Sequence, residues 1–311
     1  MDTLTAFVFP GQGAQRVGMG RDLYESFPAA RAVFDEADAV LGFSLSRLCF
    51  EGPKETLDTT QNTQPALLTT SIAVLRVLES LDPLFSRHPL FYAGHSLGEY
   101  TALVAAGSLT FADAVRLVRR RGELMAACPP GSMAAVLGLD GETLAVICAA
   151  ASAECGRPVV CANVNAPGQI VLSGDQTALE VASRRAKERG ARRVMPLAVT
   201  IAGHSPLMQP AAEALAKLLA QCQIRPARVP VVSNVTARPV SQPAEIRDGL
   251  VRHLTSPVRW TESVAYIRSQ GVARFVEVGP GDVLAGLIRR MDPAAEAVSV
   301  GDAAAVEAWR K

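Results

Sequence analysis

The chain offers no CxxC pair. Its six cysteines, Cys49, Cys128, Cys148, Cys155, Cys161 and Cys222, fall at no ligand-like spacing with histidine. That argues against structural zinc and against a disulfide framework, and it points to a reducing compartment. Charge of one sign is also missing: 31 basic residues against 30 acidic leave a net charge of +1, whereas a nucleic-acid binder needs a clear basic excess. No apolar run approaches the roughly 20 residues that span a bilayer. The opening MDTLTAFVFPGQG carries Asp2 and no basic segment, so it does not read as a signal peptide. These absences lead us to expect a soluble cytoplasmic protein, with neither nucleic acid nor membrane among its partners and no metal. Apolar residues, by contrast, are plentiful. At 49% of 311 residues they supply core for one large domain, or for a large domain carrying a smaller one.

LTAFVFPGQG (4–13) reads as a strand broken by Pro10, Gly11 and Gly13, with helices expected near 20–27, 30–40 and 63–81. PLFYAGHS (89–96) is a strand ending in a turn, and LGEYTALVAAGSL resumes helical character. A further helix over 110–128 has Thr110 as its N-cap. Strands alternating with helices predict a parallel α/β sheet. After CPPGS the texture changes to strand, helix, strand, strand, helix, strand. That βαββαβ order is the ferredoxin-like pattern and predicts a small domain inserted at 129–198, with 1–128 and 199–311 forming the large one. The alanine-rich segment 293–311 carries no readable role.

In YAGHSLGEY (92–100) a strand runs into G-x-S-x-G and then a helix, the sequence form of a nucleophile elbow. The turn is so sharp that Cβ atoms two residues either side of Ser96 would collide with its neighbours, and Gly94 and Gly98 stand there. The following helix aims backbone N–H groups and its positive dipole end at the site. Such a five-residue pattern arises by chance in roughly one chain in ten of this length, so its placement between strand and helix carries most of the weight. A serine needs a base, and the histidines are His88, His95, His204 and His253. His95 adjoins the serine on a turn where neighbours point apart; His88 sits in a polar loop and His253 in a helix. His204 is best placed, at the end of a strand-like run where α/β sites are assembled. An ordinary loop histidine is the alternative.

On a helical wheel 110–128 buries Phe111, Ala114, Val115, Leu117, Val118, Leu124 and Met125 on one face. Arg121 falls inside that apolar arc. A buried guanidinium needs a partner, which is either an internal carboxylate or the carboxylate of a substrate gripped by its planar fork.

Eight motifs in order, FVFPGQGAQ (7–15), TQPALL (63–68), GHSLGEYTALVAAG (94–107), RGELM (121–125), NVNAPGQIVLSG (163–174), GHSPLM (203–208), SPVRWTESV (256–264) and EVGPGDVL (277–284), run along nearly the whole chain. Together they resemble the malonyl-CoA:acyl carrier protein transacylases, with which acyltransferase domains of polyketide synthases share the set. The resemblance implies an α/β-hydrolase-like large domain with an inserted ferredoxin-like one. It implies that Ser96 is the nucleophile, His204 its general base, and the backbone N–H groups of Gln12 and Leu97 the oxyanion hole. Arg121 would hold the malonyl carboxylate, and the main-chain carbonyl of Arg259 would orient the histidine. Gln64, Asn165 and Gly203 would line the site. The implied reaction is ping-pong acyl transfer from malonyl-CoA to the phosphopantetheine thiol of acyl carrier protein, with no cofactor and by default a monomer.

Gly203 departs from the phenylalanine or serine that often precedes the histidine in this family. It leaves open a trans-acting polyketide acyltransferase for a branched malonyl extender, or simply a backbone preference. A serine acyl hydrolase or thioesterase on the same scaffold is the rival in another reaction class; Arg121 argues against it, since simple esterases need no such cation. A non-enzymatic docking subunit is disfavoured by the intact set of Ser96, His204 and Arg121. Acidic carrier proteins call for a basic surface, for which Arg184, Arg185, Lys187, Arg189, Arg192 and Arg193 are one candidate and Arg116, Arg119 and Arg120 another. The choice among fatty-acid, polyketide and malonate-decarboxylase pathways is left open at this level.

Overall fold

A computed structural model describes residues 3–82, 85 and 89–309; His88 lies outside the described residues. Among the described residues ten strands form two sheets. The first has six strands: β1 (Thr5–Phe9), β2 (Phe91–Gly94), β7 (Val231–Val232), β8 (Pro239–Val240), β9 (Arg274–Val278) and β10 (Glu296–Val300). Their order is β10-β9-β1-β2-β7-β8, parallel except for the antiparallel β7/β8 pair. The second comprises β3 (Ser132–Leu137), β4 (Val159–Ala166), β5 (Gln169–Gly174) and β6 (Arg193–Pro196), antiparallel throughout in the order β4-β5-β3-β6.

The apolar run of β1 is explained by burial on both faces, as parallel sheets require. Alternation sends Phe7 and Phe9 into one core, with the helices of residues 60–126, and Ala6 and Val8 into the other, beside Trp260, Phe275 and Leu284. The helix Thr60–Leu81 is buried almost all round and contains Pro65. Proline removes the donor that would reach Gln61; Arg119 Nη1 donates to the Gln61 carbonyl at 3.4 Å in its stead.

The second sheet follows the same alternation with a different result. Ala134, Val136, Ile170 and Leu172 pack beneath the helices Gly141–Cys155 and Gln176–Glu188. Met133, Ala135 and Val171, on the opposite face, line a cavity shared with the segments that follow β1 and β2. The chain leaves for this sheet and returns from it at adjacent points: Gly131 N–H donates to the Thr200 carbonyl at 3.2 Å.

The expected helix cap at Thr110 is present, its side chain accepting from Asp113 N–H at 3.1 Å. The segment 293–311, without a readable role in the sequence, supplies edge strand β10, parallel to β9, and the helix Ala303–Trp309. Among the described residues no helix is long and apolar enough to cross a membrane.

Candidate active site

Ser96 sits between β2 and the helix Leu97–Ala105 with φ 49° and ψ −107°, a strained conformation that must be held from outside. Tight approach does part of that. A Cβ on Gly94 would lie 2.0 Å from the Gly98 carbonyl, and one on Gly98 would lie 2.1 Å from the Phe9 oxygen. Asn234, which the sequence reading missed, does the rest. Its Oδ1 accepts from Ser96 N–H at 2.7 Å, and its Nδ2 donates to the Gly94 carbonyl at 2.7 Å. Asn234 stands just past the two-residue strand β7, too short to announce that its neighbours reach the elbow.

His204, separated by more than a hundred residues in sequence, brings Nε2 to 2.8 Å from Ser96 Oγ. Its Nδ1 faces two carbonyls, those of His253 at 3.0 Å and Ser256 at 3.1 Å. Two acceptors require the proton on Nδ1, so Nε2 offers its lone pair to the serine. Burial first, then the neighbouring His253 and Arg121, hold this imidazole well below its ordinary value. The expectation for Arg259 is corrected here: its carbonyl accepts from Ser263 instead. The helix Pro243–Arg252 ends one residue before His253, so it is the free carbonyls past that C-terminus that turn toward His204.

Arg121 is 1% exposed, as its place in the apolar arc requires. Nη1 donates to Gln64 Oε1 at 2.7 Å, Nη2 reaches Ser96 Oγ at 3.3 Å and His253 Nδ1 at 3.4 Å, and the guanidinium lies over the Tyr100 ring. Nε has no acceptor, and no carboxylate pairs with this arginine among the described residues. An unsatisfied buried donor costs about 1–3 kcal/mol. Gln64, expected on the cavity wall, stands behind Arg121 and holds it.

These groups face a cavity of about 310 Å³ between the second sheet and the segments that follow β1 and β2. Gln12, Leu97, Asn165 and Gly203 line it. So does His95, whose Nε2 lies 2.7 Å from Asn165 Oδ1 and whose ring meets Trp260 edge-on. His253, set aside in the sequence as a helix residue, lies under the site together with Glu99. Its Nε2 is 3.4 Å from Glu99 Oε2, and burial raises the Glu99 carboxyl to about 7.

A family model described as "Acyl transferase domain" matches residues 6–310. The chain belongs to the acyl transferase family. Over 305 residues this acyl transferase is 50% identical to the malonyl CoA-acyl carrier protein transacylase of Bacillus subtilis, covering 97% of this chain and 95% of that protein. Among solved structures, an acyl carrier protein S-malonyltransferase from Vibrio cholerae superposes with a TM-score of 0.94 at 45% identity, covering 98% of this chain and 99% of the other. A malonyl-transacylase solved in complex with its type II PKS acyl-carrier protein matches with a TM-score of 0.94 at 43% identity, covering 98% of each chain.

Proposed function

We propose that this acyl transferase moves a malonyl group from malonyl-CoA to the phosphopantetheine thiol of an acyl carrier protein through an acyl-Ser96 intermediate. One observation carries the choice of acyl group: a buried arginine beside the serine–histidine pair has no carboxylate in direct ion-pair contact among the described residues. Its Nε–Nη2 edge, unlike the Nη1 end fixed by Gln64, is the side on which a planar carboxylate can be held by two parallel bonds.

His204 Nε2 takes the Ser96 proton as Oγ attacks the thioester carbonyl. The oxyanion meets the backbone N–H groups of Gln12 and Leu97, the latter at a helix N-terminus; each such donor contributes about 3 kcal/mol in comparable sites. Collapse expels CoA, and the proton on His204 goes to its sulfur. The carrier's thiol then enters, gives its proton to His204, and the steps run in reverse. The chemistry is complete without a metal or redox group. Apolar side chains of the second sheet, Met133, Ala135 and Val171, face the ester and limit the water that reaches it.

We assign residues 1–128 and 199–311 to an α/β-hydrolase-like catalytic domain and 129–198 to an inserted ferredoxin-like one. The β4-β5-β3-β6 order with both helices on one face supports this, as do the adjacent exit and return points. Six free cysteines fit a reducing cytoplasm. The relatives' names and the carrier-protein complex support the donor and the acceptor.

A branched extender is a second reading with its own support. A Cβ at position 203 would lie 3.6 Å from Met125 Cε with nothing closer, so Gly203 leaves space beside the acyl group. Intact-mass measurement after mixing with malonyl-, methylmalonyl- or acetyl-CoA tests both readings. A malonyl adduct mapping to Ser96 is expected. Preference for acetyl-CoA would overturn the role of Arg121, and release of free malonate faster than transfer to carrier protein would favour a hydrolase.

A further inference from the structure

The side chains of Glu99 and His253 play no part in the transfer steps above, yet they form a line running inward from Arg121. A guanidinium only donates, so His253 Nδ1, 3.4 Å from Arg121 Nη2, presents its lone pair. The proton of this neutral ring is then on Nε2, which faces Glu99 Oε2 and Asn234 Oδ1, each at 3.4 Å. Glu99 Oε2 also accepts from Asn234 N–H at 2.8 Å. The Glu99 side chain is 4% exposed and that of His253 is 0% exposed.

We infer that Glu99 and His253 form a proton-linked counter-charge for Arg121: in the empty site Glu99 balances the guanidinium through His253, and when an acyl carboxylate takes over that balance Glu99 picks up a proton. The inference rests on the reading that Arg121 holds the acyl carboxylate. Around Glu99 stand Arg121 from the helix Phe111–Ala126, His253 from beyond Pro243–Arg252, Ser233 and Asn234 from beyond β7, and Tyr100 from its own helix. His95, His204 and His253 are all pushed toward the neutral form by burial. Arg121 is therefore the one positive charge in that group. A second carboxylate entering the buried site leaves an excess negative charge, which such a site strongly disfavours. One proton from solvent, forming a single O–H bond on Glu99, restores the balance. The Glu99 carboxyl is already raised to about 7 by burial and is held from going higher in part by Arg121; occupying that arginine releases the restraint. His253 acts as a positioning residue that keeps the two charges in register.

The experiment measures proton uptake with a pH indicator in weak buffer while intact mass counts acyl-serine. Malonyl-CoA and acetyl-CoA release the same thiol, so its ionisation cancels in the difference. Uptake with malonyl over acetyl is expected to approach one proton per adduct at about pH 8 and to vanish near about pH 6, where Glu99 is already protonated. In Glu99→Gln any malonyl adduct is expected to form without that uptake. Equal uptake from both donors, no uptake despite a full malonyl adduct, or uptake that persists in the variant overturns the inference. Should the variant fail to fold, the two-donor comparison on the unaltered enzyme still decides. Absence of any malonyl adduct would instead strike at the proposed function itself.

Discussion

Arg121 is fixed at Nη1 by Gln64 and has a buried Nε without an acceptor, which makes its replacement the sharpest test at the scale of single residues. Truncating one partner of a buried charge pair costs about 2–5 kcal/mol, or tens- to thousands-fold in rate at ~1.4 kcal/mol per decade. Arg121→Ala is expected to lower kcat/KM for loading malonyl by that range and to lower acetyl loading far less; equal losses would refute a carboxylate-specific grip. The second residue-scale expectation concerns pH. His204 works as a base only when neutral, and its surroundings hold it well below the ordinary histidine value. Activity should therefore persist as pH falls through about 6.5, the unperturbed value, and be lost only below it. An acid limb centred at or above that pH, seen in the kcat/KM profile for loading, would contradict the assignment.

The nucleophile elbow belongs to the scale of elements, because β1, β2 and the helix Leu97–Ala105 meet there without side chains between them. Gly98→Ala would drive a methyl group to within 2.1 Å of the Phe9 carbonyl. Overpacking of this kind costs about 1–3 kcal/mol or more. A lower Tm and loss of the acyl-Ser96 adduct are expected together, since the helix N-terminus cannot shift without moving the Leu97 N–H. Gly286→Ala is the control. It lies within the helix Val283–Met291 with nothing near its added Cβ, and helix propensity alone should leave stability unchanged or raise it by up to about 1 kcal/mol. Thermal unfolding of the two variants side by side separates helix propensity from close approach. At this scale the sequence read well: the glycines and Thr110 act through neighbours a few residues away. Asn234 was missed because its partners, Ser96 and Gly94, lie well over a hundred residues off.

In the whole molecule the antiparallel sheet does more than cover the site. β4 is tied to the segment behind His204: Val164 N–H donates to the Val258 carbonyl at 2.9 Å, Val258 N–H to the Ala162 carbonyl at 2.8 Å, and Thr261 Oγ1 to the Val164 carbonyl at 3.1 Å. The carbonyls of His253 and Ser256 that orient the base lie just upstream of this clamp. The basic candidates for carrier docking also look different once folded. Arg184 and Arg185 pair with Glu188 and Glu154, and Arg119 is anchored to Glu123 and Asn62. Arg116 and Arg120 pair with Asp113 and Glu123, while Lys187, Arg189, Arg192 and Arg193 remain exposed. Arg192 and Arg193 share a groove with Arg290 and with Gln169, which also lines the active-site cavity. Reversing charge at Arg189 and Arg192 is expected to raise KM for the carrier protein several-fold, as rim charges do, with acyl loading from CoA preserved. Steady-state kinetics showing both half-reactions untouched would remove this surface from consideration.

Short-range sterics and periodicity were legible from the chain alone. The glycine spacing around Ser96, the arginine inside an apolar helical arc and the alternation of strands with helices each arise from residues close enough to interact locally. Tertiary structure alone decided which carbonyls hold His204, why Gln64 backs Arg121, and where Glu99, His253 and Asn234 converge. Main-chain acceptors leave no trace in side-chain identity, and contacts between distant segments depend on how helices and sheets pack. That same packing turned the unreadable C-terminal segment into an edge strand, because β10 is defined by its pairing with β9 rather than by any pattern of its own.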